Sequence, residues 1–250
     1  MSRLLRPEGD AIAVGTFIKS AAPQTVELLG AAGLDFVVLD AEHAPLDRGD
    51  IDRLLLAGLG AGLPLLLRPD RKDSALIQSA LDCGAAGLLV PHVDTVEDAR
   101  NAVALARFRG GARGFSGSTR AAGYGTMAMA AAIAAGDRTL VICQIETPQA
   151  VENAQAIAAV EGVGGLLVGR ADLALAMGEA SSNSDAVVEA ALAVTRGARG
   201  ANKIAGMAVG GGPECGRFRA HGVNWFVVSS DQGLLYRGAT EAMKSAGAKA

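Results

Sequence analysis

Short apolar runs rich in Val, Leu and Ile alternate along this chain with longer Ala-rich stretches whose apolar positions recur at helical spacing. The short runs predict strands at Ala11–Phe17, Phe36–Asp40, Leu65–Arg68, Gly87–Val90, Thr139–Glu146, Gly165–Val168, Ile204–Val209 and Asn224–Val228. The longer stretches predict helices at Pro23–Ala32, Asp50–Ala61, Asp73–Cys83, Val96–Phe108, Pro148–Val160, Asp185–Ala201, Pro213–His221 and Gln232–Ala246. Strands alternating with helices of this length build parallel βαβ units, since a parallel neighbour needs a crossover connection. Repeated along 250 residues, the pattern fits an α/β fold of one domain, residues 1–250, closed into a (β/α)8 TIM barrel rather than an open sheet.

The two kinds of connection differ in chemistry. Helix-to-strand turns are short and carry Gly33, Gly62, Gly84, Gly162 and Gly222, where glycine admits the left-handed backbone that ends a helix. Strand-to-helix connections carry the polar residues, in Asp40–Asp47, Arg68–Asp73, Pro91–Thr95, Thr147–Pro148 and Gly169–Asp172. In a barrel these connections gather at the C-terminal face, which holds the chemistry. The segment Arg109–Gly125, RGGARGFSGSTRAAGYG, breaks the rhythm. It reads either as an ordinary long loop or as a lid or binding loop.

Composition narrows the class. Half the residues are hydrophobic but only 4% are aromatic, so small and branched aliphatic side chains build the core, as parallel strands covered on both faces require. A net charge of −3 with scattered Lys and Arg excludes the basic stripe of a nucleic-acid surface and a polybasic membrane anchor. No apolar run is long enough to span a bilayer, and the first ten residues lack the apolar core of a signal peptide. Cys83, Cys143 and Cys215 are separated and form no CxxC. The expectation is a cytoplasmic protein without nucleic-acid or membrane partners.

Titratable residues cluster at the ends of the predicted strands. In TLVICQIE, Gln144 and Glu146 share one face because strand side chains alternate, and both sit at the wet C-terminal end. Glu146 reads either as a site carboxylate or as a cap for the helix after Pro148. Asp172, four residues past the next strand, reads either as a site carboxylate or as a cap for the turn that begins there. Neighbouring strands lie about 4.8 Å apart, so two such carboxylates can share one ion. Without His or Cys beside them they favour a hard cation, Mg²⁺, Mn²⁺ or Co²⁺. His43, in LDAEHAPLD, is a candidate general base or an exposed loop residue, and His92 is a secondary candidate. Arg68, ending PLLLR, is placed to meet an anionic substrate, whereas Asp82 on its own reads as a polar helix residue.

These segments resemble the HpcH/HpaI aldolase family, the class II pyruvate aldolases of the phosphoenolpyruvate/pyruvate superfamily. The resemblance begins at VGTFIKSAAPQTVELLGAAGLDFVVLDAEHAP and continues through LLLRP, LDCGAAGLLVPHV, ARGF, VICQIET and EGVGGLLVGRADLALAMG. It implies that Glu146 and Asp172 hold the metal, with Gln144 beside it. It implies His43 as catalytic base and Asp82 as its acidic partner, acting directly or from a neighbouring subunit. Arg68 would polarise the keto oxygen, and backbone N–H groups at Ala171 and Asp172 would hold the pyruvyl carboxylate. The implied reaction joins or separates pyruvate (or hydroxypyruvate) and an aldehyde through a 4-hydroxy-2-oxo acid. The implied assembly is a homo-oligomer, a hexamer, with the C-terminal helix packed on a neighbouring subunit. Two departures stand out: Arg170 replaces the family's usual Pro, and the loop GFSGSTRAAGYG could bring Arg120 to a distal substrate carboxylate. The alternatives are a citrate-synthase-like or acyl-CoA lyase enzyme on the same barrel, and a non-catalytic metabolite-binding barrel.

Overall fold

The computed structural model describes residues 7, 11–70 and 73–247. Eight strands, β1 (Ala13–Ile18), β2 (Phe36–Asp40), β3 (Leu65–Arg68), β4 (Gly87–Val90), β5 (Leu140–Ile145), β6 (Gly165–Val168), β7 (Ile204–Val209) and β8 (Trp225–Ser230), close into one barrel in chain order. Every neighbouring pair is parallel, and β8 meets β1 through Ala13↔Trp225 and Val14↔Phe226, with an irregularity between Gly15 and Phe17. This is the TIM barrel that the alternation predicts.

The barrel interior is filled at its N-terminal end by Phe36 and Trp225, whose rings stack 3.9 Å apart at 10°. Gly15 makes the room: a Cβ there would lie 2.4 Å from the Phe36 ring. Val38, Leu66, Leu89, Leu140, Ile142 and Leu167 continue the inner packing. Alternation then carries the inward positions to the strand ends. They become Asp40 after Phe36 and Val38, Arg68 after Leu66, and Gln144 and Glu146 after Leu140 and Ile142. The mouth is therefore polar because the same faces that are apolar lower down run out into water.

Around the barrel lie α1 (Pro23–Ala31), α2 (Arg48–Ala61), α3 (Ser74–Asp82), α4 (Val96–Ala106), α5 (Met129–Gly136), α6 (Pro148–Ala158), α7 (Arg170–Ala176), α8 (Asp185–Gly200), α9 (Gly212–Arg219) and α10 (Asp231–Ser245). Reciprocal side-chain and backbone hydrogen bonds start α2 (Asp47 with Asp50) and α4 (Thr95 with Asp98). Helix α5 and a 3-10 turn at Arg120–Gly125 lie in stretches for which the sequence predicts no element. MAAAIAAG is apolar on all sides, so it shows no helical period to read.

Helix α10 packs against β1 and β8, yet its own barrel leaves most of its apolar face uncovered. Leu234 is half-buried, while Leu235 is 76% exposed, and Tyr236, Ala239, Ala242 and Met243 are exposed as well. No helix among the described residues is long and apolar enough to cross a membrane.

Candidate active site

Both capping alternatives fail on geometry. Thr147 caps α6, its hydroxyl accepting from the Ala150 N–H at 3.1 Å, with Pro148 opening the helix. Glu146 is thereby free of a capping role. It is 4% exposed and faces the mouth, where its carboxylate accepts from the His92 N–H at 3.3 Å and from the Gln144 side-chain amide. Gly169 caps α7 without a side-chain bond, which leaves Asp172 exposed in the first turn, its charge acting on Glu146. Gly169 also makes space for the pair, since a Cβ there would lie 2.6 Å from Glu146 Oε1 and 3.0 Å from Gln144 Nε2.

Burial, together with the negative charges of Asp172 and Glu42, pushes the Glu146 carboxyl up to about 7, against the opposing pull of the His92 N–H and ring. Gln144 Oε1 and Glu42 Oε2 are buried with no hydrogen-bond partner among the described residues. The carboxylates of Glu146 and Asp172 and the unbonded amide oxygen of Gln144 are the hard donors that a divalent cation takes, while Glu42 Oε2 lies within ion-pair distance of Arg68. Among the described residues, no cluster of three or more His, Cys, Asp or Glu forms a metal cage. A cation here would rest on Glu146 and Asp172 and keep positions for water or substrate.

The other half of the mouth is a chain of paired charges. Arg68 is buried and holds Asp40 through two hydrogen bonds, Nε to Oδ1 at 3.0 Å and Nη2 to Oδ2 at 2.7 Å. Its guanidinium lies 4.3 Å from the centre of the Phe17 ring. Burial would raise the Asp40 carboxyl, but the Arg68 hydrogen bonds and charge, the His43 N–H and the Lys19 charge outweigh it and hold it below its ordinary range. Arg68 Nε is 3.4 Å from Glu42 Oε2, and Glu42 Oε1 is 3.0 Å from His92 Nε2. Lys19 Nζ is 3.3 Å from Asp40 Oδ2. Lys19, Asp40, Arg68, Glu42, His92 and Glu146 thus connect β1 to β5 across the mouth.

His43 lies at this end too. Its N–H donates to Asp40 Oδ1 at 3.1 Å, and its ring Nε2 is 3.8 Å from Glu42 Oε2 with the side chain 54% exposed. His92 adopts a left-handed backbone, φ 54°, unusual outside glycine, which turns its N–H onto Glu146. The sequence does not single out Lys19 or the Glu42–His92 link. Inward parity from Ala13 through Gly15 and Phe17 was the available signal for Lys19.

Three residues singled out in the sequence, Asp82, Arg120 and Arg170, lie away from the Glu146–Asp172 corner within one chain. Asp82 ends α3, which runs from the mouth down to the N-terminal end of the barrel, and there pairs with the buried Arg113 at 2.9 Å. Within one chain it does not join Glu146, Asp172 or His43. Arg120 is at that same end, paired with Asp52 at 2.7 Å and with the Cys83 carbonyl at 2.8 Å, so within one chain it reaches no substrate at the mouth. The loop follows α4, whose C-terminus points away from the mouth, and a cavity of about 320 Å³ lined by Phe108, Arg113, Phe115 and Thr119 lies beside it. Arg170, in place of the expected Pro, does not extend towards Glu146 or Asp172. It is buried, donating to Glu214 at 2.6 Å, Asn183 at 2.8 Å and the Ser182 carbonyl at 3.2 Å. It braces the start of α7 against the α7–α8 loop and against β7 and the first turn of α9.

A family model described as HpcH/HpaI aldolase/citrate lyase matches residues 13–237. A 5-keto-4-deoxy-D-glucarate aldolase of Shigella dysenteriae is 36% identical over 232 residues, covering 92% of this chain and 90% of the relative. A crystal structure of an HpcH/HpaI aldolase/citrate lyase family protein from Burkholderia cenocepacia superposes with a TM-score of 0.91 at 31% identity over 98% of both chains. The citrate synthase SbnG superposes with a TM-score of 0.86 at 25% identity over 98% of this chain and 97% of its own. The polar barrel mouth and these likenesses agree: the chain belongs to the HpcH/HpaI aldolase/citrate lyase family and is a carbon–carbon lyase of the aldolase type.

Proposed function

We propose that this chain is a divalent-metal-dependent class II aldolase acting on a 4-hydroxy-2-oxo acid, with pyruvate or hydroxypyruvate and an aldehyde as the two halves. The observation that carries this is Glu146, a buried carboxylate at the mouth raised to about 7 beside Asp172 and Glu42. Glu146 and Asp172 hold the cation, Mg²⁺, Mn²⁺ or Co²⁺, with Gln144 beside it. When bound, the cation supplies Lewis acidity towards the carboxylate and keto oxygens of the 2-oxo acid.

The chain's own residues do the rest. Backbone N–H groups of Ala171 and Asp172 hold the pyruvyl carboxylate. Arg68, fixed in plane by Asp40, sets positive charge where the enolate oxygen develops. In cleavage, His43 takes the proton of the 4-hydroxyl, whose oxygen becomes the aldehyde carbonyl as the C3–C4 bond breaks. The bonding pair passes to C3 as the enolate of pyruvate, and a proton delivered there completes the product. Asp82 acts as the acidic partner of His43 from a neighbouring subunit of a homo-oligomer, a hexamer by the family resemblance. The enzyme works in the cytoplasm.

The Shigella dysenteriae relative supports a sugar-acid substrate, and 5-keto-4-deoxy-D-glucarate is the first to test. The purified protein is expected to release pyruvate from it, and to condense pyruvate or hydroxypyruvate with members of an aldehyde panel, only when Mg²⁺, Mn²⁺ or Co²⁺ is present. No metal-dependent turnover of any 2-oxo acid would overturn the aldolase function. A product formed only with an acyl-CoA would favour the citrate-synthase reaction instead, which the likeness to SbnG supports.

A further inference from the structure

Lys19 has no role in the scheme above, yet it is built into the mouth. It follows β1 on the inward face, and its Nζ reaches the same Asp40 oxygen that accepts from Arg68 Nη2. Only about a quarter of its side chain is exposed. Its backbone is clamped from the far end of the chain by Asp231, which accepts from the Lys19 N–H and the Ser20 N–H at 3.0 Å each, and from the Ser20 hydroxyl. Asp231 is itself buried at the start of α10. A surface lysine needs no such anchoring.

The charge balance shows what the anchoring achieves. Arg68 lies against two carboxylates, Asp40 and Glu42. One guanidinium between two carboxylates is a net anionic group, and its pull on an anionic substrate is cancelled. In the connected set, the carboxylates of Asp40, Glu42, Glu146 and Asp172 meet two permanent cations, Arg68 and Lys19, with the His92 ring between Glu42 and Glu146. A divalent cation on Glu146 and Asp172 brings that set to neutrality, and loss of Lys19 returns it to a net charge of −1.

We propose that Lys19 is a further functional residue of this site, the second cation that offsets Asp40 and Glu42 and so lets Arg68 act on an anionic 2-oxo acid. The proposal rests on the aldolase function above. It makes Lys19 a positioning and electrostatic residue, acting through Asp40 and Arg68, and Asp231 the group that holds it in place. Lys19 Nζ is separated from the substrate side of Arg68 by an ion pair and a guanidinium, roughly 8 Å. At an effective dielectric of about 20, a unit charge over that distance changes affinity by about tenfold or more.

The test uses the full chain and its Lys19→Met, Lys19→Gln and Lys19→Arg variants. Oxalate, a planar dianion shaped like the enolate of pyruvate, is titrated in the presence of saturating Mn²⁺, Mn²⁺ affinity is measured separately, and KM for pyruvate is determined. Lys19→Met and Lys19→Gln are expected to weaken oxalate binding and raise KM for pyruvate by about tenfold or more, with Mn²⁺ affinity not reduced. Lys19→Arg is expected to restore most of the loss, which replacement of a merely structural side chain would not do. Oxalate affinity equal to wild type in both neutral variants would overturn the proposal. So would a pyruvate adduct trapped on Lys19 by borohydride, which would assign the amine to imine chemistry. Failure of the wild-type protein to bind oxalate with any of the three metals would sink the aldolase function and the Lys19 role with it, an outcome distinct from losses confined to the variants.

Discussion

Glu146 carries its charge where solvation is poorest, and this gives the site a pH signature. In the metal-free protein its carboxyl titrates near 7 rather than at the ordinary 4.5, so the fold favours the protonated form. That stabilisation is complete below about pH 4.5 and is lost as pH rises through 7. Metal binding needs the ionised carboxylate. Calorimetric titration across this range should therefore show metal affinity falling by up to tenfold per pH unit below about 7, levelling above it, with proton release on binding. Glu146→Gln or Asp172→Asn should remove metal binding while circular dichroism remains that of the folded barrel. Unchanged metal affinity in either variant would refute the ligand assignment. His43→Ala should keep metal and pyruvate binding but lose about 10²–10⁴ in turnover, and a pH–rate profile of wild-type shape and height would exclude it as the base. Glu146 and Gln144 were legible because strand parity is local. Lys19 and the Glu42–His92 link were not singled out, because their partners come from strands far apart in sequence. Asp82 could have been placed away from the mouth by topology alone, since α3 ends at the opposite face.

At the scale of elements, the eight strands and the main helices follow from periodicity, and what escaped is what lacks a period or depends on long-range partners. Helix α5 is uniformly apolar, so no stripe announces it. Arg170 gave no sign in sequence of which way it would turn. Its partners stand at Asn183, Ser182, Ala208 and Glu214, and its guanidinium also lies 4.8 Å from the Phe218 ring. Burial would raise the Glu214 carboxyl, but Arg170 and the Gly210 N–H hold it below its ordinary range. Arg170 thus joins the α7–α8 loop, β7 and α9 beneath the turn that carries Asp172. Arg170→Met should cost about 3 kcal/mol in thermal or denaturant unfolding, because it leaves Glu214 and two loop acceptors without their donor. A variant as stable as wild type would show that the brace is dispensable.

At the scale of the whole molecule, the barrel's two ends pose complementary problems. The mouth has the carboxylates of Glu146 and Asp172 together with Arg68, but no acidic side chain from its own α3. The opposite end carries Asp82, set by the buried Arg113, together with the Arg109–Gly125 loop. The apolar face of α10 is open, with Leu235, Tyr236 and Met243 each more than half exposed. The proposed closed homo-oligomer would answer both, by burying α10 and by bringing one subunit's Asp82 to another's His43. Light scattering at micromolar concentration should then find a multiple of 25.2 kDa. Leu235→Glu combined with Met243→Glu should shift the population towards monomer, because a buried unpaired carboxylate opposes association. The dissociated protein should retain metal binding, whose ligands lie within one chain, while losing turnover that depends on Asp82. Asp82→Asn in the intact oligomer should reproduce that loss without dissociation. A fully active 25.2 kDa monomer would remove the need for a second subunit and, with it, the catalytic role of Asp82.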